Sequence, residues 1–189
     1  TACDMLITLC ENNPSAQDLV TAHPLWSHIF DLLTDQNQNE NFRYKLLGSV
    51  SAIVRSHGPS FDKFLSIGGK EKMKQIVEMN DKSSHKALRV LASITYTFRD
   101  DAARKNVLKP TVMDGYCHLA ERREEDTDEL EFVREFLLQD VAWEDVTEHQ
   151  RLRLRNALVR EATKGFNDEE RQRPVVAMLQ KKFGQSKRG

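Results

Sequence analysis

The sequence predicts an all-α fold, a stack of similar helical units finished by charged helices. Three observations lead to it. Gly and Pro are scarce, 8 and 5 among 189 residues, and apolar residues recur at helical rather than strand spacing. Two stretches about 45 residues apart read as variants of each other, "NPSAQDLVTAHPLWSHIFDLL" from 13 and "GPSFDKFLSIGGKEKMKQIVEM" from 58. Each is followed, in phase, by a long amphipathic segment.

The elements follow in chain order. "TACDMLITLC" opens the chain and reads as the middle of a helix, so a fragment or a processed form is expected. Cys3 and Cys10 lie two turns apart on it and can share a face, but they cannot bond to each other within one helix. With Cys117 the cysteine count is odd and no CxxC spacing occurs, so buried apolar thiols are the expectation. "PLWSHIFDLL" carries Leu25, Trp26, Ile29, Leu32 and Leu33. "FRYKLLGSVSAIVRSH" then places Leu46, Leu47, Val50, Ile53 and Val54 on one stripe.

Pro59-Ser60 restarts the chain after Arg55 and His57, and Gly68-Gly69 makes a sharp turn without a side-chain penalty. Ser60, Asp81 and Ser83 suit helix starts. "KEKMKQIVEM" offers Met73, Ile76, Val77 and Met79. "SHKALRVLASITYTF" offers Ala87, Leu88, Val90, Leu91 and Ile94. A worn third cycle runs through "RDDAARKNVLKPTVMDGYCHLAE" to "DELEFVREFLLQDVAW", with Leu130, Phe132, Val133, Phe136 and Leu137 as its stripe.

The unit is thus a short, a medium and a long helix, with 41 to 45 residues per cycle. That period is the armadillo/HEAT range. One such unit cannot bury its apolar stripe alone, so neighbours stack and share a core. The expected architecture is an armadillo-like helical repeat solenoid over 1–147, starting within a repeat. A charged C-terminal helical cap follows over 148–184, then a tail over 185–189. The competing arrangement is a non-repeating helical bundle.

Composition narrows the function. Charged residues make up 30% yet nearly cancel, leaving a net charge of -1, without the basic excess expected of a nucleic-acid binder. No apolar run reaches the ~18 residues of a membrane helix. There is no Gly-rich phosphate loop, GxSxG, HExxH or CxxC set, and the six His residues are scattered. "EEDTDE" at 124–129 reads as a solvated loop feeding a helix start. A non-enzyme without catalytic residue, metal or cofactor is expected.

A solenoid offers a concave surface instead. By helix period the long helices present Tyr44, Gly48 and Ala52, then His85, Arg89 and Ser93, then Leu130, Arg134 and Leu138 to it. Arg89 and Arg134 stand 45 residues apart, and an arginine ladder suits a carboxylate-bearing protein surface.

These residues also resemble a known family. The helix ending in Arg55, the turn with Pro59, the Phe64-Leu65 and Gly68-Gly69 piece, "ALRVLASITYTFRDD" and "DELEFVREFLL" look like the armadillo-type nucleotide exchange factors of Hsp70 chaperones. The resemblance covers about residues 10 to 143 and is nearest the Sil group of the endoplasmic reticulum, with the cytosolic Hsp70-binding-protein group beside it. It implies a monomer that embraces the ATPase domain of an Hsp70, most like the lumenal BiP, and speeds ADP release. It also implies location in the endoplasmic-reticulum lumen, or alternatively the cytoplasm. The chain ends in "QSKRG", not a KDEL-like retention signal. By helix phase rather than motif, partner binding is expected at Tyr44, His85, Arg89, Ser93 and Arg134. The alternative is an armadillo-type adaptor without exchange activity. Such adaptors often carry a ladder of Asn and Trp on the long helices, where this chain has Gly48, Arg89 and Arg134.

Overall fold

A computed structural model describes residues 1–122, 128–140 and 147–163. Among them every regular element is a helix. The helices are α1 (Ala2–Cys10), α2 (Pro14–Ala22), α3 (Leu25–Thr34), α4 (Glu40–Val54), α5 (Gly58–Ser66), α6 (Gly69–Val77), α7 (Lys82–Thr97), α8 (Lys109–Glu121), α9 (Asp128–Asp140) and α10 (Glu148–Thr163). None of the described helices is long and apolar enough to cross a membrane.

The helices touch one another in rows. The long helices α4 and α7 lie between α1 on one side and α9 on the other. α3, α6, α8 and α10 pack in that order, and α2 packs on α5. The apolar stripes face these contacts. Leu46, Leu47, Val50, Ile53 and Val54 are buried, as are Ala87, Leu88, Val90, Leu91 and Ile94. Between the rows, Phe30, Phe61, Phe64 and Phe98 form a chain of ring contacts 4.8–6.2 Å apart.

Local chemistry sets the joints. α1 and α4 each end at an extended residue, Glu11 and Arg55, followed by one in left-handed backbone, Asn12 at φ 56° and Ser56 at φ 62°. The next residue, Asn13 or His57, caps the following helix by accepting from a backbone N–H, and Pro14 or Pro59 sits in the first turn. His57 therefore opens α5 rather than closing α4. Ser60, expected at the helix start, is buried within α5, where its hydroxyl shares a 2.7 Å hydrogen bond with His57 Nδ1. Asp81 caps α7 as expected, accepting from Ser83 N at 2.8 Å, so Ser83 lies inside the first turn.

Four other expectations are corrected. Leu25 is exposed and Leu32 only half-buried, because α3 turns Trp26, Ile29, Phe30 and Leu33 inward instead. Phe132 is half-buried beside Arg89 while Leu130, Val133, Phe136 and Leu137 fill the core. The third cycle has no helix between 99 and Lys109. In its place Arg104 grips α5, with Nε and Nη2 donating to Asp62 at 3.0 and 2.6 Å and Nη1 donating to Asp101 at 2.6 Å. Removing this clamp with Arg104→Ala is expected to lower Tm by about 2 °C, and less in high salt, since Asp62 is exposed and Asp101 partly so. An unchanged Tm in differential scanning calorimetry at low salt refutes it.

All three cysteines are free and buried. Burial between α8 and its neighbours pushes the Cys117 thiol up to about 12 from an ordinary 9.0. The native thiol is therefore neutral at pH 8 and is expected to resist Ellman's reagent until the protein unfolds. Because the unfolded thiol ionises first, Cys117's contribution to stability is whole below about pH 9 and declines towards pH 12. A Cys117→Val variant whose Tm falls as steeply over that range would contradict this.

Of the expected cap, α10 covers α8 with Leu154, Ala157 and Leu158 buried. The rest of the cap and the tail, from 164 on, lie outside the described residues, as do positions 124–127 of the acidic run.

Candidate functional site

The row of long helices carries a groove of about 330 Å³. Gly48 and Ser51 of α4, Lys86, Arg89 and Ser93 of α7, and Phe132 of α9 line it, with Ile7, Arg55 and Val90. α1 approaches α4 closely at Gly48, where a Cβ would stand 3.2 Å from Ile7 Cδ1. The groove floor is narrow there because Gly48 has no side chain.

Its cations come from three local arrangements. Arg55, at the α4 C-terminus, pairs across the joint with Glu11 at 3.3 Å. Lys86 Nζ stands 4.9 Å from the centroid of the Tyr44 ring, and the Arg89 guanidinium stands 5.3 Å from that of Phe132. Such stacking orients a cation without neutralising it. Tyr44 Oη, on α4, donates 2.7 Å to Glu129 Oε1 on α9. That bond joins α4 to α9, and the Lys86 contact with the same ring adds α7.

The charges shape one another. Burial, then the neighbouring Arg89, lowers the Lys86 ammonium pKa, while Glu129 opposes that shift. The hydrogen bond to Glu129 raises the Tyr44 phenol. Burial acts to raise the Glu129 carboxyl, yet the Tyr44 hydroxyl, a backbone bond, Lys86 and Arg89 hold it below the ordinary value.

Burial shows how the expected site residues relate. From α4 to α7 it repeats at a spacing of 41: Arg43, Leu46, Leu47, Val50 and Ile53 match Ser84, Ala87, Leu88, Leu91 and Ile94, all buried. Tyr44, Gly48 and Ala52 therefore correspond to His85, Arg89 and Ser93. Ala52 is nonetheless buried, and its carbonyl accepts from Gln17 Nε2 at 2.9 Å. From α7 to α9 the match is at 46, with Leu130, Val133, Phe136 and Leu137 matching Ser84, Ala87, Val90 and Leu91. Arg134 thus takes the place of Leu88, about 100° round the helix from the expected ladder. It lies 3.7 Å from Glu131 on its own helix and outside the groove lining. Leu130, expected both on the apolar stripe and on the concave face, is core.

The structure therefore brings Arg89 and Ser93 into one groove, puts Tyr44 at its edge through Lys86, and leaves His85 and Arg134 out of the lining. Sequence reasoning missed Lys86 and Phe132. Phe132 was assigned to the core stripe, and a signal against that was its i+2 spacing from Leu130.

Among the described residues no group of three His, Cys, Asp or Glu is placed to hold a metal ion. A second cleft of about 170 Å³ lies between α6, α8 and α10, lined by Asp114, His118 and Arg153. Its charges are mutually compensated, Arg153 standing 3.4 Å from Glu121 and 3.9 Å from Asp114. No protein-family model and no curated protein matches the chain.

Proposed function

We propose that this chain is an armadillo-like solenoid that acts as a nucleotide exchange factor for an Hsp70 chaperone, the lumenal BiP being the first partner to test. The observation that carries the reading is the groove along α4, α7 and α9, whose two central cations are stacked on aromatic rings rather than paired with carboxylates of the described residues. A face of that kind suits a protein surface bearing carboxylates. The side-by-side order of α1, α4, α7 and α9, and the joints repeated at Asn12 and Ser56, support the repeat. The resemblance of the Pro59 to Gly69 joint to the exchange-factor family supports the partner.

In this reading Arg89, Ser93 and Lys86 dock on the chaperone's ATPase domain, with Tyr44 and His85 at the border and Arg134 outside the main contact. The factor binds the open form of the nucleotide cleft more tightly than the closed form and shifts the population by that difference. Bound nucleotide and bound factor then weaken each other reciprocally. No bond is made or broken by this chain.

The test is release of labelled ADP from purified lumenal and cytosolic Hsp70s. The wild-type chain is expected to accelerate it, Arg89→Glu to lose about tenfold of that effect, and Arg134→Glu to lose less than about half. No acceleration of either Hsp70 refutes exchange activity, and binding without acceleration selects the adaptor. Equal losses in the two variants refute the groove as the contact.

A further inference from the structure

Glu129 stands at the edge of the groove, on the same face of α9 as Phe132 and one turn before it. The Tyr44 hydroxyl anchors its carboxylate at 2.7 Å, and the same Tyr44 ring carries Lys86. Phe132 carries Arg89. The two α9 side chains thus flank the two cations of α7, and Glu129 is the anionic one of the pair. Neither cation has a carboxylate of the described residues within 4.0 Å.

We propose that the groove takes an acidic segment of a protein partner through carboxylates seated on Lys86 and Arg89, and that Glu129 is an internal competitor for the same two cations. Arg89 offers a planar fork that a carboxylate can meet with two parallel bonds, and Lys86 adds a point charge beside it. Arg89 and Lys86 repel each other in a partly desolvated setting, so an incoming anion relieves more than one unfavourable contact. Ser51 and Ser93 supply hydroxyls along the same lining. Glu129 weakens the site by screening both cations from a distance, which sets a threshold: a lone carboxylate is poorly held, whereas a run of them outweighs the internal charge. The inference rests on the reading that this face is the docking surface. It does not require that the partner be an Hsp70.

Two probes separate the two readings: a fluorescein-labelled octa-glutamate peptide followed by anisotropy, and an isolated Hsp70 ATPase domain. Glu129→Gln keeps an acceptor for the Tyr44 hydroxyl and removes the charge. It is expected to tighten peptide binding about fivefold, the effect of one partly screened charge. The double variant Lys86→Met, Arg89→Met is expected to weaken binding at least about tenfold. In that background Glu129→Gln should no longer matter, which a purely structural effect would not produce. Far-UV circular dichroism and Tm check that each variant is folded. Unchanged or weaker peptide binding by folded Glu129→Gln overturns the proposal. A gain that persists without the two cations, or no saturable peptide binding by any variant, overturns it too. If the peptide shows the expected pattern while no Hsp70 binds, the exchange-factor reading falls and this one stands. If an Hsp70 binds the wild type but Glu129→Gln tightens neither probe, only this one falls.

Discussion

Arg43→Met is expected to cost about 3 kcal/mol of stability. Arg43 is 3% exposed and lies in the second turn of α4. Its Nε donates to the Leu33 carbonyl at 3.0 Å and its Nη2 to the Asp35 carbonyl at 2.8 Å, satisfying the end of α3. Its Nη1 donates 2.7 Å to Asp81 Oδ2. Asp81 is the N-cap of α7, so one guanidinium fastens α3, α4 and the start of the next long helix. Methionine fills a similar volume but leaves the α3 carbonyls without that donor and the Asp81 carboxylate without its cation. Asp81 retains some access to water at 25% exposure, which keeps the loss below the upper end for a buried pair. Urea unfolding followed at 222 nm measures it, and Arg43→Lys should fall between the two. A loss of under about 0.5 kcal/mol for Arg43→Met would show that the fastening is dispensable.

Gly69→Ala is expected to destabilise by about 2–3 kcal/mol through overpacking. Helix propensity alone predicts the opposite sign, a gain of up to about 1 kcal/mol. A Cβ at Gly69 would sit 2.6 Å from the Phe64 carbonyl oxygen and closer still to the Phe64 ring. That ring is fully buried, 5.8 Å from Phe30 and 6.2 Å from Phe61, and has nowhere to turn. Gly58→Ala is the control. Its Cβ would meet no backbone, only the Arg104 guanidinium at 3.2 Å, which must shift slightly within its clamp, so the expected loss is under about 1 kcal/mol. If both glycine variants gain stability, the tight approach of α5 to α6 is wrong.

Much of the architecture was readable because helical periodicity is local. The stripes on α4 and α7 were assigned residue by residue and all ten side chains are buried. The Pro14/Pro59 echo located two matching joints, and Gly68, at φ 71°, makes the expected turn into α6. Capping was read less well. His57 takes the capping role expected of Ser60, accepting from the Ser60 N–H, because the left-handed Ser56 sets the start of α5 earlier in the chain.

The site was read in part. Helix phase selects Arg89 and Ser93, and both line the groove. Arg134 was placed by carrying a 45-residue spacing into the third unit, where the burial pattern follows 46. One residue is about 100° of helix, enough to move a side chain off the face. Lys86 and Phe132 were missed because neither has a signature of its own. Each matters through a ring or a cation on another helix.

What the sequence alone determined is the set of helices, their apolar faces and the rhythm of their joints. These depend on side-chain spacing within a few turns and on turn residues next to one another. Only the tertiary structure decided which polar groups go inside and which stay available. Arg43 meets Asp81 38 residues on and Tyr44 meets Glu129 85 residues on. A charged residue reads the same in sequence whether it is solvated, buried against a cap or stacked over a ring. Its environment is made by helices that are distant in the chain, and packing alone brings them together.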